Sequence, residues 1–296
     1  MNCRNFAERY LRTFFYKIAL YIAHSSDFLL EGASMADLRL KKYANTLSKI
    51  IQCETISDYN SFDKEKFDKF HNLLNESFPN VFKTFKVKNF HGSLLLVWEN
   101  KSDLEPILFM SHHDVVEATG DWQEEPFSGK ITKDKIWGRG TLDTKGNLWA
   151  ILQSLEELII DGFKPNRSIY VESSCNEETT GNGADEISKY LLENKIHFAF
   201  SLDEGGMIMF DPIGVAKGNF AMIGMGEKSC IDLKFVARSN GGHASTPAKN
   251  SPLVRLAKFV SYVDSHNIFK AKLNKTTAQM FKVMSLKMKG ILKWKL

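Results

Sequence analysis

Four positions in the chain offer the nitrogen and oxygen donors that a divalent metal ion takes: His112, Asp143, Glu178 and Asp203. A catalytic zinc is held by about three imidazole or carboxylate ligands, with one position left open for water. Glu177 stands next to Glu178, and adjacent side chains diverge. One of the pair can therefore bind metal while the other takes a proton from water whose pKa the metal has lowered to about 7. The chemistry such a set implies is metal-assisted hydrolysis.

The stretch SHHDVV (residues 111–116) sharpens this reading. In extended chain, residues two apart project to the same side. His112 and Asp114 can thus cooperate, and His113 turns away into packing or solvent. A ligating imidazole usually donates its second N–H to a carboxylate, which fixes the tautomer; Asp114 is placed for that role.

Elements that would position these groups can be read from the pattern. Residues 36–82 carry helical periodicity, broken around QCETISDYN, and SLLLVWE (93–99) reads as a strand. PILFM (106–110), RSIYVESS (167–174) and FAFSL (198–202) read as buried strands. Between them lie helices over TKGNLWAILQSLEELIIDG, closed by Gly162, and over GADEISKYLLENK. This β-α-β-α-β alternation predicts an α/β fold, a mostly parallel central sheet with helices on both faces. In such sheets ligands sit beyond the carboxyl ends of the strands. That is where His112, the Glu177–Glu178 pair and Asp203 fall, with Asp143 just before the long helix. Any one of these residues could belong to a solvated turn; their joint position at successive strand ends carries the argument.

From about residue 227 a strand-like run SCIDLKFVARS, a turn NGGHASTP and a helix from Ser251 to about His266 suggest a smaller α/β domain. The expected division is residues 1–226 as the zinc-binding domain and 227–296 as part of a lid.

The motifs SHHDVV, DWQEEPFSGKITKDKIWGRGTLDTKG, NEETTGNGA and LDEGG resemble, in order and spacing over residues 45–250, those of the dinuclear zinc aminoacylase and carboxypeptidase family. LDEGG is most similar to the carboxypeptidase S and N-acyl-amino-acid hydrolase branch. The resemblance implies two zinc ions and hydrolysis of an amide bond in a small peptide or N-acyl amino acid. It makes His112 and Asp203 ligands of one zinc, Asp143 the bridging carboxylate and Glu178 a ligand of the other. Glu177 becomes the general base and Asp114 the group that orients His112. The smaller domain becomes a lid that dimerises, and His243 of GGHAS resembles a histidine that reaches across the dimer to the scissile carbonyl. Gly138 and Gly140 are expected to serve backbone geometry alone.

Family members supply a further ligand histidine after the lid, whereas none of the eight histidines here lies beyond His266. The Asp143 and Glu178 site therefore lacks one expected ligand. A fragment, a truncated product and a one-metal chain each account for this, and truncation fits the lysine-rich ending best. The alternative function is an inactive metal-binding or association module.

Bulk properties exclude other classes. The chain is 43% hydrophobic and 25% charged, as in ordinary globular proteins. Its formal charge of +4 hides an uneven distribution, since residues 265–296 hold eight lysines and no acid. No arginine cluster or Gly/aromatic motif accompanies that end, which argues against nucleic acid as a partner; a lysine-tail module for acidic partners is a weaker third reading. The four scattered cysteines indicate reduced thiols. No apolar run approaches the roughly 20 residues of a membrane span. FFYKIALYIA (14–23) follows three arginines but is interrupted by Lys17 and lacks a cleavage signature, so an amphipathic N-terminal helix and a cytoplasmic location are expected.

Overall fold

The structure is a computed structural model that describes residues 33–226, 233–243, 245–246, 249–268, 270 and 272–288. The apolar stretch 14–23 and residues 229–232 of the strand-like run lie outside these. The chain divides between Glu204 and Gly205 into two compact units.

Among the described residues, the first unit opens with helix α1 (Ala33–Ile51), followed, after the break expected around residue 55, by α2 (Lys64–Ser77) and the short α3 (Pro79–Thr84). Asp63 caps α2 by accepting from the Lys66 N–H at 3.3 Å. Phe67, Phe70 and Leu74, at spacings of three and four, form its buried stripe. The first turn of α3 is capped from a distance. The buried carboxylate of Glu156 accepts the backbone N–H groups of Asn80 and Val81 at 3.2 and 2.9 Å.

Five strands form one sheet: β1 (Lys86–Phe90), β2 (Ser93–Trp98), β3 (Ile107–Met110), β4 (Ile169–Ser173) and β5 (Phe200–Leu202), in the order β1-β2-β4-β3-β5. Strands β4, β3 and β5 run parallel, and β2 is antiparallel to both β1 and β4. The β1–β2 hairpin turns through His91 and Gly92, both at positive φ, as a two-residue turn matching strand twist requires. A Cβ on Gly92 would stand 2.4 Å from the Phe62 ring.

Helix α4 (Lys145–Ile160) joins β3 to β4, and α5 (Gly183–Glu193) joins β4 to β5. The alternation along β2 shows that they cover opposite faces. Leu94 and Leu96 pack with Leu148, Leu152 and Leu155 of α4 and with α2 and α3. Leu95 and Val97 pack with Ile187 and Leu191 of α5. The fold is thus the expected α/β class with helices on both faces. The chain moves from β3 to β4, then returns past β3 to β5. That reversal marks a crevice at the carboxyl ends of β3 and β4.

The second unit contains the hairpin β6 (Met207–Phe210) and β7 (Asn219–Met222), then α6 (Pro252–Ser265) and α7 (Lys275–Ser285). Ser251 caps α6, as the expected helix start required, and Asn274 caps α7 by accepting from Thr277 N at 2.8 Å. Residues 233–240 form no strand, contrary to their apolar alternation. A strand persists only where a neighbour pairs its backbone groups, and the described residues supply none there. Among the described residues, no helix is long and apolar enough to cross a membrane.

Leu152, 1% exposed, lies in the middle of the larger apolar cluster. Leu152→Ala should cost about 2–5 kcal/mol, read as a lower urea midpoint with unchanged slope. A loss under about 1 kcal/mol would mean that this face is loosely packed.

Candidate metal centre

The pairing of β3 with β4 continues past the end of β3. Ser111 N donates to Glu172 O at 3.1 Å and His113 N to Ser174 O at 2.9 Å. Two residues on, the chain changes partner. Val115 N donates to Thr55 O at 3.0 Å, and Ser57 N donates to Val115 O at 3.2 Å. Residues 111–115 are therefore held extended from both sides, and their side chains alternate as expected.

His113 points into the core. It is fully buried, lies against Phe70 with ring centroids 5.1 Å apart, and bonds Ser173 Oγ through Nδ1 at 2.8 Å. Burial holds its pKa well below the ordinary histidine value, and the nearby His71 adds to the effect. His112 faces the other way, toward the acids. Its Nδ1 is 3.0 Å from the Asp114 carbonyl oxygen and 3.3 Å from Asp114 Oδ1. These atoms only accept, so Nδ1 carries the hydrogen and Nε2 is presented to the crevice.

Around Nε2 stand Asp143 Oδ1 at 3.1 Å, Glu204 Oε2 at 3.2 Å and Glu177 Oε2 at 3.8 Å. Burial would lower the His112 pKa, but hydrogen bonds to Asp114 and Glu204 outweigh it and push the ring up to about 11. One ligand atom each from His112, Asp143 and Glu178 lies within 4.8 Å of the other two. An imidazole nitrogen and two carboxylates in such a space are the donor set of a divalent cation, and the surrounding acids favour positive charge at that point.

Asp114 joins the two sides of the crevice. It is fully buried, and its Oδ1 and Oδ2 each accept one backbone N–H, from Glu177 and Glu178 respectively, both at 3.1 Å. One carboxylate thus sets the tautomer of His112 and holds the turn that follows β4. Burial raises the carboxyl pKa values of Glu177 and Glu178. The charge of His112 opposes the rise at Glu177, and the charge of Asp143 adds to it at Glu178. Gly138 and Gly140, at φ of 149° and 86°, bring the 138–144 turn under this site. A Cβ on Gly138 would stand 2.3 Å from Ile51 Cγ2. The Asp143–Thr144 peptide is cis.

Residues 108–284 match the family model described as peptidase family M20/M25/M40. The chain belongs to this family. Among relatives of the M20 chain is a probable carboxypeptidase S-like 2 from Dictyostelium discoideum, 40% identical over 254 residues, covering 82% of this chain and 48% of that protein. Another is the N-fatty-acyl-amino acid synthase/hydrolase PM20D1 of Homo sapiens, 34% identical over 228 residues, covering 74% and 45% respectively. A third is carboxypeptidase S of Saccharomyces cerevisiae, 31% identical over 246 residues, covering 78% and 42%. The M20 chain spans about half the length of the curated relatives it matches.

Not every residue picked from the sequence gathers here. Asp203 is exposed, and its Oδ1 accepts the N–H of Glu204 at 2.8 Å; from this pair it is the Glu204 carboxylate that stands on His112. The His112 ring beside it holds Glu204 below its ordinary pKa. His243 lies in the second unit, exposed, with Nδ1 bonded to Ser245 Oγ at 2.7 Å. Two buried ionisable groups of the M20 chain had no signal beyond the motif letters. Lys145 is fully buried, donates to the Cys53 carbonyl and sits 5.4 Å from the Phe70 ring centroid. Its burial lowers its pKa to about 8, against the charges of Cys53 and Asp114. Glu172, inside β4, is 4% exposed, and its Oε1 has no hydrogen-bond partner among the described residues.

Asp114→Asn keeps the size but removes one acceptor, so a buried N–H of the Glu177–Glu178 turn loses its partner. The cost should be about 1–3 kcal/mol by urea unfolding, and no loss would show that the turn stands without it. For Glu172, burial and then the charge of Asp203 raise the pKa from 4.5 to about 8. Between those values the folded chain keeps a proton that the unfolded chain has released. Stability therefore falls as pH rises through this window, by at most about 1.4 kcal/mol per pH unit. Glu172→Gln should flatten the fall in metal-free protein, and an unchanged slope would mean Glu172 is ionised in the fold.

Proposed function

We propose that this M20 chain belongs to a zinc-dependent hydrolase that cleaves the amide bond of a small peptide or N-acyl amino acid. The observation that carries the reading is the convergence of His112, Asp143 and Glu178 with Glu177 beside them, on a chain whose relatives include a carboxypeptidase S and an N-fatty-acyl-amino acid synthase/hydrolase. The donors fit zinc, which takes imidazole nitrogen and carboxylate oxygen in a compact shell. By the matched motifs His112 and Asp203 would hold one ion and Glu178 a second, with Asp143 shared between them; of these four, His112, Asp143 and Glu178 lie close together. When bound, zinc would supply Lewis acidity, lowering the pKa of water and polarising the scissile carbonyl.

The remaining work falls to the chain's own side chains. Asp114 keeps the Nδ1 hydrogen on His112, so that Nε2 faces the reaction space. Glu177, fixed by its N–H to Asp114, takes the proton from the attacking water and delivers it to the leaving amine. Its raised pKa suits both tasks, because a base whose pKa lies nearer the working pH also returns its proton readily. His243, with Nδ1 engaged by Ser245, has Nε2 available for a substrate carbonyl; the same reading makes the second unit a lid and a site of dimerisation, in a cytoplasmic enzyme.

In a form of the protein that turns over dipeptides or N-acyl amino acids, Glu177→Gln should lower kcat by about 10²–10⁴-fold while zinc content by elemental analysis is unchanged. His112→Ala should remove the zinc. Normal turnover in Glu177→Gln with zinc in place would assign the base elsewhere.

A further inference from the structure

The stretch SHHD places two histidines in a row, and a slip of one residue in the placement of this segment would exchange them. Strand β3 itself does little to forbid the slip. All four of its residues, Ile107 to Met110, are apolar, so its side chains offer no polar face to tell from an apolar one. The choice falls to the hydrogen bonds beyond the strand. Two are made to β4, by Ser111 and His113, and the rest to the loop that follows α1.

Thr55 is the residue of that loop that grips the segment. It is fully buried, and all three of its polar groups are engaged. Its hydroxyl donates to the His113 carbonyl, its carbonyl accepts the Val115 N–H at 3.0 Å, and its own N–H donates to the Cys53 carbonyl at 3.0 Å. Two of these bonds fall on the residues flanking Asp114. The third leads to another part of the centre, because Lys145 donates to the same Cys53 carbonyl. Lys145 opens α4 directly after Asp143 and Thr144.

The loop 53–55 therefore joins the segment that bears His112 to the turn that bears Asp143. This join is separate from the bonds by which Asp114 holds the Glu177–Glu178 turn. Across it, His112 Nε2 and Asp143 Oδ1 stand 3.1 Å apart. Two ligand atoms each about 2 Å from one tetrahedral zinc ion are separated by roughly 3.3 Å, so the join sets a spacing close to the one an ion requires.

We propose that Thr55 is a positioning residue of the metal centre, whose hydroxyl holds residues 111–115 in the placement that turns His112, and not His113, toward Asp143. The proposal rests on the reading of His112 and Asp143 as metal ligands and adds the residue that sets their spacing.

Zinc affinity of the full chain is measured by competition with a chromophoric chelator, and the histidine ring C–H signals are recorded by NMR in metal-free protein. Thr55→Val keeps the size and branching of threonine without the hydroxyl. It should weaken zinc about 10- to 100-fold, the range for outer partners of a metal ligand, and shift or split the His112 and His113 ring signals. Thr55→Ser, which keeps the hydroxyl, should restore both. A contact that served stability alone would lower the melting temperature and leave the ring signals of the folded chain in place. If Thr55→Val does not fold, Thr55→Cys, a weaker donor of similar size, should move both readouts the same way by less. Wild-type zinc affinity in Thr55→Val while His112→Ala loses zinc, unchanged ring signals, or a Thr55→Ser that fails to restore them would each overturn the proposal. Zinc retained in His112→Ala would instead remove His112 from the ligands, and the ring signals would then decide the placement role of Thr55 by themselves.

Discussion

The centre depends on one carboxylate. Asp114 follows β3, while the two N–H groups it accepts belong to Glu177 and Glu178 after β4, and it also lies within 3.3 Å of His112 Nδ1. A fully buried anion is costly unless several donors answer it. Here the donors come from both sides of the crevice, so meeting the needs of Asp114 aligns the imidazole and the glutamate pair in one act. Lys145, buried nearby without a carboxylate hydrogen bond, places a positive charge under the same residue.

The two consecutive histidines show how finely backbone direction divides chemistry. His112 lies among acids, which favour positive charge there; His113, its neighbour in sequence, lies among Phe67, Phe70 and His71, where burial disfavours it. The division is possible because residues 111–115 are fixed as an extended strand on both edges, first by β4 and then by residues 55–57. Were this segment helical, the two rings would lie about 100° apart on one cylinder, and neither environment could be so pure.

Much of this was legible in the sequence, for identifiable reasons. The apolar runs of β2, β3 and β4 and the stripe of α4 are long enough for periodicity to declare them, and the acids and histidine follow directly from where those strands stop. The segment KVKNF of β1 carries no such pattern, being mostly polar and paired only at the edge. Strand β5 is only three residues long, too short to phase the side chains beyond it, so the sequence had no means of telling whether Asp203 or Glu204 faces His112. The second task of Asp114 was invisible as well. Its acceptors meet backbone N–H groups more than sixty residues away, and an N–H is present at every residue except proline.

The order β1-β2-β4-β3-β5 has a consequence for how the molecule is assembled. The donors of the centre come from the ends of β3 and β4 and from the turn before α4, segments that the unfolded chain holds far apart and that parallel pairing unites late, after loop closure has been met. A cation gripped by His112, Asp143 and Glu178 would touch all of these segments and none of them singly in the unfolded chain. It would act as a clasp on the completed sheet, so that resistance to unfolding climbs with the logarithm of free metal concentration. Any chemistry at the centre and the durability of the fold would then draw on the same ion, and loss of the metal would take the fold's margin with it.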